Sequence, residues 1–219
     1  MKRIAITGVN GIIGSELSRH FIDKGYFVIG IDRTEPQREV SGQFKYVKLD
    51  ITDQDKVGQF FSDLSFDYLM HCAALVHKNS PDLSFYNFMR INFEGTKNIF
   101  DSVVENKSNS GVKGAIFFST IEVYGGEGRD EIVSEGDECQ PNTFYGKSKL
   151  AAERYLLKLN KEYKLSIVIL RLTPVYSESF LRNVKRRVLI GGNKFFYGVG
   201  DGEQRISLCS RNNVIDVVE

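Results

Sequence analysis

The sequence predicts a doubly wound α/β fold: a parallel sheet with helices on both faces. Three observations carry that expectation. Short runs rich in Val, Ile and Phe alternate with longer amphipathic stretches along the first 172 residues. The short runs are almost continuously apolar, as strands covered on both faces must be. Each is followed by a segment long enough for a crossover helix, the connection that parallel strands require.

The elements follow in order. "RIAIT" is a strand leading into a helix over "GIIGSELSRHFIDKG". "YFVIGID" and "FKYVKLD" are strands, "DQDKVGQFFSDL" a helix, and "DYLMHCAA" a strand. One long helix is expected over "LSFYNFMRINFEGTKNIFDSVVENK", followed by the strand "GAIFFST". After the polar loop "GGEGRDEIVSEGDECQPN" comes a helix opening in "NTFYGKSKLAAERY", then the strand "LSIVILRL". From Thr173 the pattern changes. "SFLRNVKRRVL" reads as a basic amphipathic helix, and "NKFFYGVGDGEQRISLCS" as two short strands around a "GDG" turn. "NNVIDVVE" reads as a helix start capped by Ser210 or Asn212. The expected division is 1–172 and 173–219, the second part being small and, by its pattern, incomplete.

Composition narrows the function. The chain has 219 residues, 42% hydrophobic and 26% charged, with net charge +1. That is a globular composition with no electrostatic case for nucleic acid or an anionic membrane as main partner. No apolar run approaches bilayer-spanning length, and "MKRIAITG" reads as a strand, not a signal peptide. The three cysteines, Cys72, Cys139 and Cys209, are scattered and lack metal spacing, so reduced thiols in a cytoplasmic protein are expected. His20, His71 and His77 include no pair at zinc-binding helical spacing.

Two stretches point to chemistry. "TGVNGIIGSEL" places Gly8, Gly11 and Gly14 between a strand and a helix. Glycines there permit a tight turn and close backbone approach to a pyrophosphate, which the helix N-terminus would meet with its amides and positive dipole end. Asp32 ends the second strand about 20 residues further on, where an acid binds ribose hydroxyls and favours NAD over NADP. Arg33 beside it is the residue that would favour a 2′-phosphate. Asp50, with Ile51 beside it, ends the third strand, where its carboxylate reaches an adenine amino group. In the second stretch, Tyr145 and Lys149 lie four apart on one helical face, a phenol beside an ammonium.

"TGVNGIIGSEL", "LDITD", "HCAA", "INFEGTKNI", "FFSTIEVYGG", "YGKSK" and "RLTPVY" occur in that order over most of the chain. Together they resemble the extended short-chain dehydrogenase/reductases, specifically the nucleotide-sugar epimerase/dehydratase family, whose fold is of Rossmann type. The resemblance implies an NAD-dependent enzyme acting on a nucleotide-diphosphate sugar, in surface polysaccharide precursor synthesis, and a homodimer through the two long helices. It implies cofactor contacts at Gly8, Asn10, Gly11, Ile12, Ile13, Gly14, Asp32, Arg33, Asp50, Ile51, Ala73, Ala74, Asn92, Tyr145, Lys149 and Pro174. It makes Tyr145 the catalytic acid/base and Lys149 its partner, the ammonium and a cationic nicotinamide both favouring the phenolate. Thr120 takes the Ser/Thr position that bonds the substrate oxygen, with Ser119 one residue out of register as the alternative. Arg205 matches an arginine that contacts the nucleotide diphosphate. The implied reaction is oxidation at sugar C4 by hydride transfer to NAD+, then epimerisation or a Glu122-assisted elimination or decarboxylation. Glu122 favours the lyase branch, whereas Ile121 stands where hexose 4,6-dehydratases often carry a proton-donating aspartate.

Other positions depart from the pattern: Thr173 and Ser177 replace the usual Asn and Gly, and Asn213 stands where an aspartate is common. The family's sugar-binding half continues past residue 219, so a fragment or a pocket completed by another subunit is expected. A catalytically impaired NAD-binding or sensing protein of the same fold, or a simple NAD(P)-dependent carbonyl reductase, are the alternatives.

Overall fold

The computed structural model describes residues 1–35, 42–76, 83–106, 111–125, 132–178, 180–181, 184–185, 189–190, 195–196 and 207–219. They fall into two compact units, Met1–Arg171 and Leu172–Glu219.

The first unit is built on six strands: β1 (Arg3–Thr7), β2 (Phe27–Asp32), β3 (Phe44–Lys48), β4 (Tyr68–His71), β5 (Gly114–Thr120) and β6 (Ile167–Leu172). Their order is β3-β2-β1-β4-β5-β6. Pairs β1–β2, β1–β4, β2–β3 and β4–β5 are parallel, with Thr7 opposite Ile31 on one side and His71 on the other. The order reverses between β1 and β4. In open α/β sheets the crevice at the carboxyl ends of such strands is where ligands bind. This is the Rossmann-type doubly wound sheet expected from the alternating apolar runs.

The helices are α1 (Ile12–Asp23), α2 (Gln54–Ser62), α3 (Phe85–Phe88), α4 (Gly95–Glu105) and α5 (Phe144–Tyr163). Asp53 caps α2 by accepting from the Lys56 amide, an N-terminal contact of the expected type. Between α3 and α4 the chain stays helical but widens into a π segment, Met89–Glu94. The one long helix of the sequence pattern is therefore three segments run together. The extra residue per turn leaves the period of apolar residues almost unchanged, so the pattern could not reveal it. The core lies between the sheet and α2, α4 and α5: Ala5, Ile29, Leu69 and Phe117 meet Val57, Phe61, Phe100 and Leu156, all buried.

In the second unit, β7 (Val175–Tyr176) pairs in parallel with β10 (Cys209–Ser210), and β8 (Leu189–Ile190) pairs antiparallel with β9 (Phe195–Phe196). Helix α6 (Arg211–Val218) follows. Ser210 is its cap, accepting from the Asn212 amide at 3.3 Å. The expected "GDG" turn and most of the expected basic helix lie outside the described residues.

Candidate active site

The glycine turn closes on backbone at two places. Gly8 has φ +69°, and a Cβ there would stand 2.7 Å from the Ala73 nitrogen. A Cβ on Gly14 would stand 2.3 Å from the Gly8 carbonyl oxygen. The end of β1 thus lies directly against the stretch after β4 and against α1. Gly11 is the N-cap of α1, no side chain caps the helix, and its first turn holds no acidic residue. A bare helix N-terminus facing a close backbone turn fits a pyrophosphate. Ile12 is 39% exposed at that N-terminus. At the end of β2, Asp32 accepts from the Asn10 amide at 3.0 Å and from the Thr34 amide and hydroxyl at 3.2 and 3.0 Å. Its carboxylate is thereby held beside the glycine turn, with Arg33 exposed next to it. Asp50 bonds the Thr52 amide and hydroxyl, both at 2.9 Å, making a local turn that exposes it after β3. Ile51 is buried, and its carbonyl accepts from Asn98 at 3.0 Å.

A chain of hydrogen bonds crosses the floor of the crevice. Thr7 accepts from the Ala73 amide at 3.3 Å and pairs with His71 Nδ1 at 2.7 Å. On the other side of the ring, His71 Nε2 pairs with Thr96 at 2.9 Å, and Thr96 donates to the Asn92 carbonyl at 2.7 Å. A hydroxyl has one proton. Thr96 spends it on Asn92, so it accepts from Nε2–H. Burial, helped by the Lys149 charge, lowers the His71 pKa to about 3, which keeps the ring neutral near pH 7, so Nδ1 accepts from the Thr7 hydroxyl.

Asn92, fully buried on the π segment, ties two elements together. Its side chain accepts from the Leu75 amide at 2.7 Å and donates to the Leu75 carbonyl and the Ser148 hydroxyl, both at 3.0 Å. Ser148 in turn donates to the Tyr145 carbonyl at 2.8 Å. The stretch carrying Ala73 and Ala74 is thus fastened to the first turns of α5.

Helix α5 begins at its cap Thr143, which accepts from the Gly146 amide at 2.9 Å and donates to Glu122 Oε2 at 2.8 Å. Glu122 lies on a 3-10 turn, Ile121–Tyr124, directly after β5. Its amide donates to the Thr120 hydroxyl oxygen at 3.2 Å. The turn and the helix are in such close contact that a Cβ on Gly146 would lie 2.6 Å from the Glu122 carbonyl oxygen. Thr120, Glu122 and Tyr145 are brought together this way. Tyr145 and Lys149 are both buried.

The electrostatics differ from the sequence expectation. The Tyr145 pKa is raised, by burial first and then by the Glu122 carboxylate. Lys149 falls to about 7 through burial, opposed by Glu153 and Cys72. Its ammonium stands 3.8 Å from the centre of the Phe117 ring, a cation–π contact. Tyr145 is therefore a protonated phenol at neutral pH. The lowering expected from Lys149 and a cationic nicotinamide has to act against this desolvation, which raises Tyr145 and lowers Lys149 at once.

Ser119 donates to the buried Glu153 carboxylate, so its hydroxyl points into the interior. Pro174 belongs to the second unit, and Arg205 lies outside the described residues. Glu153, Arg171, Thr143 and Ser148 were missed. Two of them left a signal: an acid four residues beyond Lys149 on the same helical face, and an arginine inside the apolar run "IVILRL". Among the described residues no group of three or more His, Cys, Asp or Glu side chains could hold a metal ion, and no helix is long and apolar enough to cross a membrane.

A glycine turn at the switch point of a doubly wound sheet, with a tyrosine and lysine on the adjoining helix, defines a dinucleotide-binding α/β protein. More narrowly, residues 4–218 match the model of the NAD dependent epimerase/dehydratase family, and the chain belongs to it. It is 28% identical over 185 residues to the dTDP-D-glucose 4,6-dehydratase of Mus musculus, covering 80% of this chain and 51% of that protein. It is also 28% identical to the UDP-glucose 4-epimerase of Vibrio cholerae, covering 99% of this chain and 65% of that one. Among solved structures, MoeE5 in complex with UDP-glucose and NAD superposes with a TM-score of 0.77 at 26% identity, covering 97% of this chain and 69% of that one. The chain spans about half the length of the dehydratases it matches. NAD is the family's cofactor, and the glycine turn, the uncapped α1 and Asp32 are the residues that fit it.

Proposed function

We propose that the chain carries the NAD-binding and acid–base half of a nucleotide-sugar 4-epimerase. The observation that carries this reading is that Glu122 joins Thr120 and the Tyr145 end of α5, with Lys149 one turn further, near Cys72, in the stretch that Gly8 packs against. Gly8, Gly11 and Gly14 with the α1 amides would hold the pyrophosphate, and Asp32 the adenosine ribose. Asp50, Ile51, Ala73, Ala74 and Asn92 would line or support the rest of the cofactor path. NAD, when bound, supplies a reversible two-electron acceptor and a positive charge near the phenol. Tyr145 would act as its phenolate, its own proton first released to solvent under the positive charge of Lys149 and of bound NAD; the phenolate would take the proton of the sugar C4 hydroxyl and return it, with Thr120 donating to that same oxygen. Thr120 suits this role because, among the described residues, its oxygen accepts from the Glu122 amide alone, whereas Ser119 is committed to Glu153. Lys149, near its own pKa at neutral pH, would hold the cofactor ribose and steady the phenolate. The substrate class is a nucleotide-diphosphate sugar, in keeping with the UDP- and dTDP-glucose named for relatives. Pro174 and Arg205 would belong to its surroundings.

A second reading, Glu122-assisted elimination, is favoured by one observation: the Glu122 carboxylate is anchored on Thr143 and acts electrostatically on Tyr145. Product analysis separates the two. With NAD and UDP- or dTDP-glucose, a C4 epimer that persists in Glu122→Gln supports epimerisation. A dehydrated 4-keto product lost in Glu122→Gln supports the lyase, and neither product from any nucleotide sugar contradicts both. A cytoplasmic homodimer through α4 and α5 completes the proposal. Leu157 and Tyr163, 49% and 44% exposed on α5, would be covered, and sedimentation at the monomer mass would contradict it.

A further inference from the structure

The face of α5 that carries Tyr145 and Lys149 continues, four residues on, to Glu153. Glu153 is 1% exposed. Arg171 on β6 grips it, Nε donating to the two carboxylate oxygens at 3.2 and 3.1 Å and Nη2 donating at 2.7 Å. Each partner also holds one end of the stretch that runs from the end of β5 through the 3-10 turn. Glu153 accepts from the Ser119 hydroxyl. Arg171 Nη1 donates to the Tyr124 hydroxyl at 2.6 Å and to the Glu135 carbonyl at 3.3 Å. Thr120 and Glu122 lie between these two anchors.

A buried ion pair gains little stability over apolar residues of the same volume, because desolvation cancels most of its attraction. What it does supply is geometry, since a two-pronged guanidinium–carboxylate contact tolerates little displacement. It also supplies a charge near Lys149. Glu153 faces the ammonium from α5, His71 and Cys72 from β4 and the residue after it, and the Phe117 ring from β5. His71 is neutral and the Cys72 thiol is pushed up by burial. Glu153 is therefore the carboxylate of that set.

We propose that Glu153 and Arg171 are a positioning pair. They fix the segment Ser119–Tyr124, and Thr120 and Glu122 with it, against the acid–base face of α5, and Glu153 is the counter-charge of the Lys149 ammonium. This rests on the reading of Tyr145 and Lys149 as the acid–base pair, but its test does not use turnover.

The full chain, labelled with 13C at lysine Cε and without added nucleotide, is titrated by NMR. The Lys149 signal is assigned by its loss in Lys149→Arg. Glu153→Gln is expected to move the Lys149 midpoint down by about one pH unit, and Arg171→Met to move it up by about as much. Opposite shifts are the mark of a charge pair, which a merely structural contact would not give. Midpoints unchanged in both variants, or moved in the same direction, would overturn the proposal. If either single variant does not fold, Glu153→Leu with Arg171→Met leaves no lone buried charge. The two opposite shifts cancel in it, so its midpoint is read against the single variant that folds: one above that of Glu153→Gln or below that of Arg171→Met supports the pair, and one equal to it overturns the pair. Opposite shifts in a chain that turns over no nucleotide sugar would leave the pair standing and remove the proposed function.

Discussion

At the scale of single residues, burial decides the chemistry. His71 is held neutral with a pKa of about 3 against 6.5 for the free group. As pH falls below about 6.5 the unfolded chain takes up a proton that the folded chain refuses until about 3. Stability from this group is thus complete above the unfolded value and is lost on acidification, by up to about 1.4 kcal/mol per pH unit. Urea unfolding of the wild type and of His71→Gln between about pH 6.5 and pH 4 is expected to show a flatter pH dependence in the variant; parallel curves would mean that His71 charges in the fold. Asp32 offers a second check. Its carboxylate is already fixed by Asn10 and Thr34, and in the proposed role it would accept from a ribose diol and repel a 2′-phosphate. Asp32→Ala is expected to weaken NAD by about tenfold and NADP less, as one charge-assisted bond is lost; equal losses in calorimetric titrations would pass the cofactor choice to Arg33. Tyr145 and Lys149 were legible as a pair from their spacing, and Glu122 as a candidate from the resemblance that "STIEVYG" carries. Their protonation was not, because desolvation depends on Phe117, Cys72 and other residues that only the fold brings near.

At the scale of elements, apolar periodicity located the six strands of the first unit and the major helices, because each buries a face against the same sheet. β5 begins and ends where the run "GAIFFST" does. What periodicity missed is the π segment, which turns Asn92 inward to Leu75 and Ser148; a helical repeat alone carries no sign of one extra residue. The glycine turn was legible, and its reason is now steric. Gly14→Ala would drive a methyl group into the Gly8 carbonyl at 2.3 Å. The expected result is a loss of about 1–3 kcal/mol in urea unfolding, with NAD affinity falling as the turn shifts. A variant as stable and as avid as the wild type would show that α1 does not pack so closely on the turn.

At the scale of the whole molecule, the first unit contains the sheet, the switch point and the proposed acid–base residues, whereas Arg205, named from resemblance for the nucleotide diphosphate, lies outside the described residues. Sequence was most informative where strand, turn and helix repeat in a fixed order. It was least informative past Thr173, where the strands are two residues long and leave almost no pattern to read. The central claim is that Tyr145 moves the proton of a sugar oxidation that depends on NAD. Its most direct test is to add UDP- or dTDP-sugars to the NAD-loaded chain and follow nicotinamide absorbance in the wild type and in Tyr145→Phe. The wild type should show reduction of the cofactor by one sugar, and the variant should retain NAD but react about a hundredfold to ten-thousandfold more slowly. Equal rates in the two chains, or tightly bound NAD that no nucleotide sugar reduces, would contradict it.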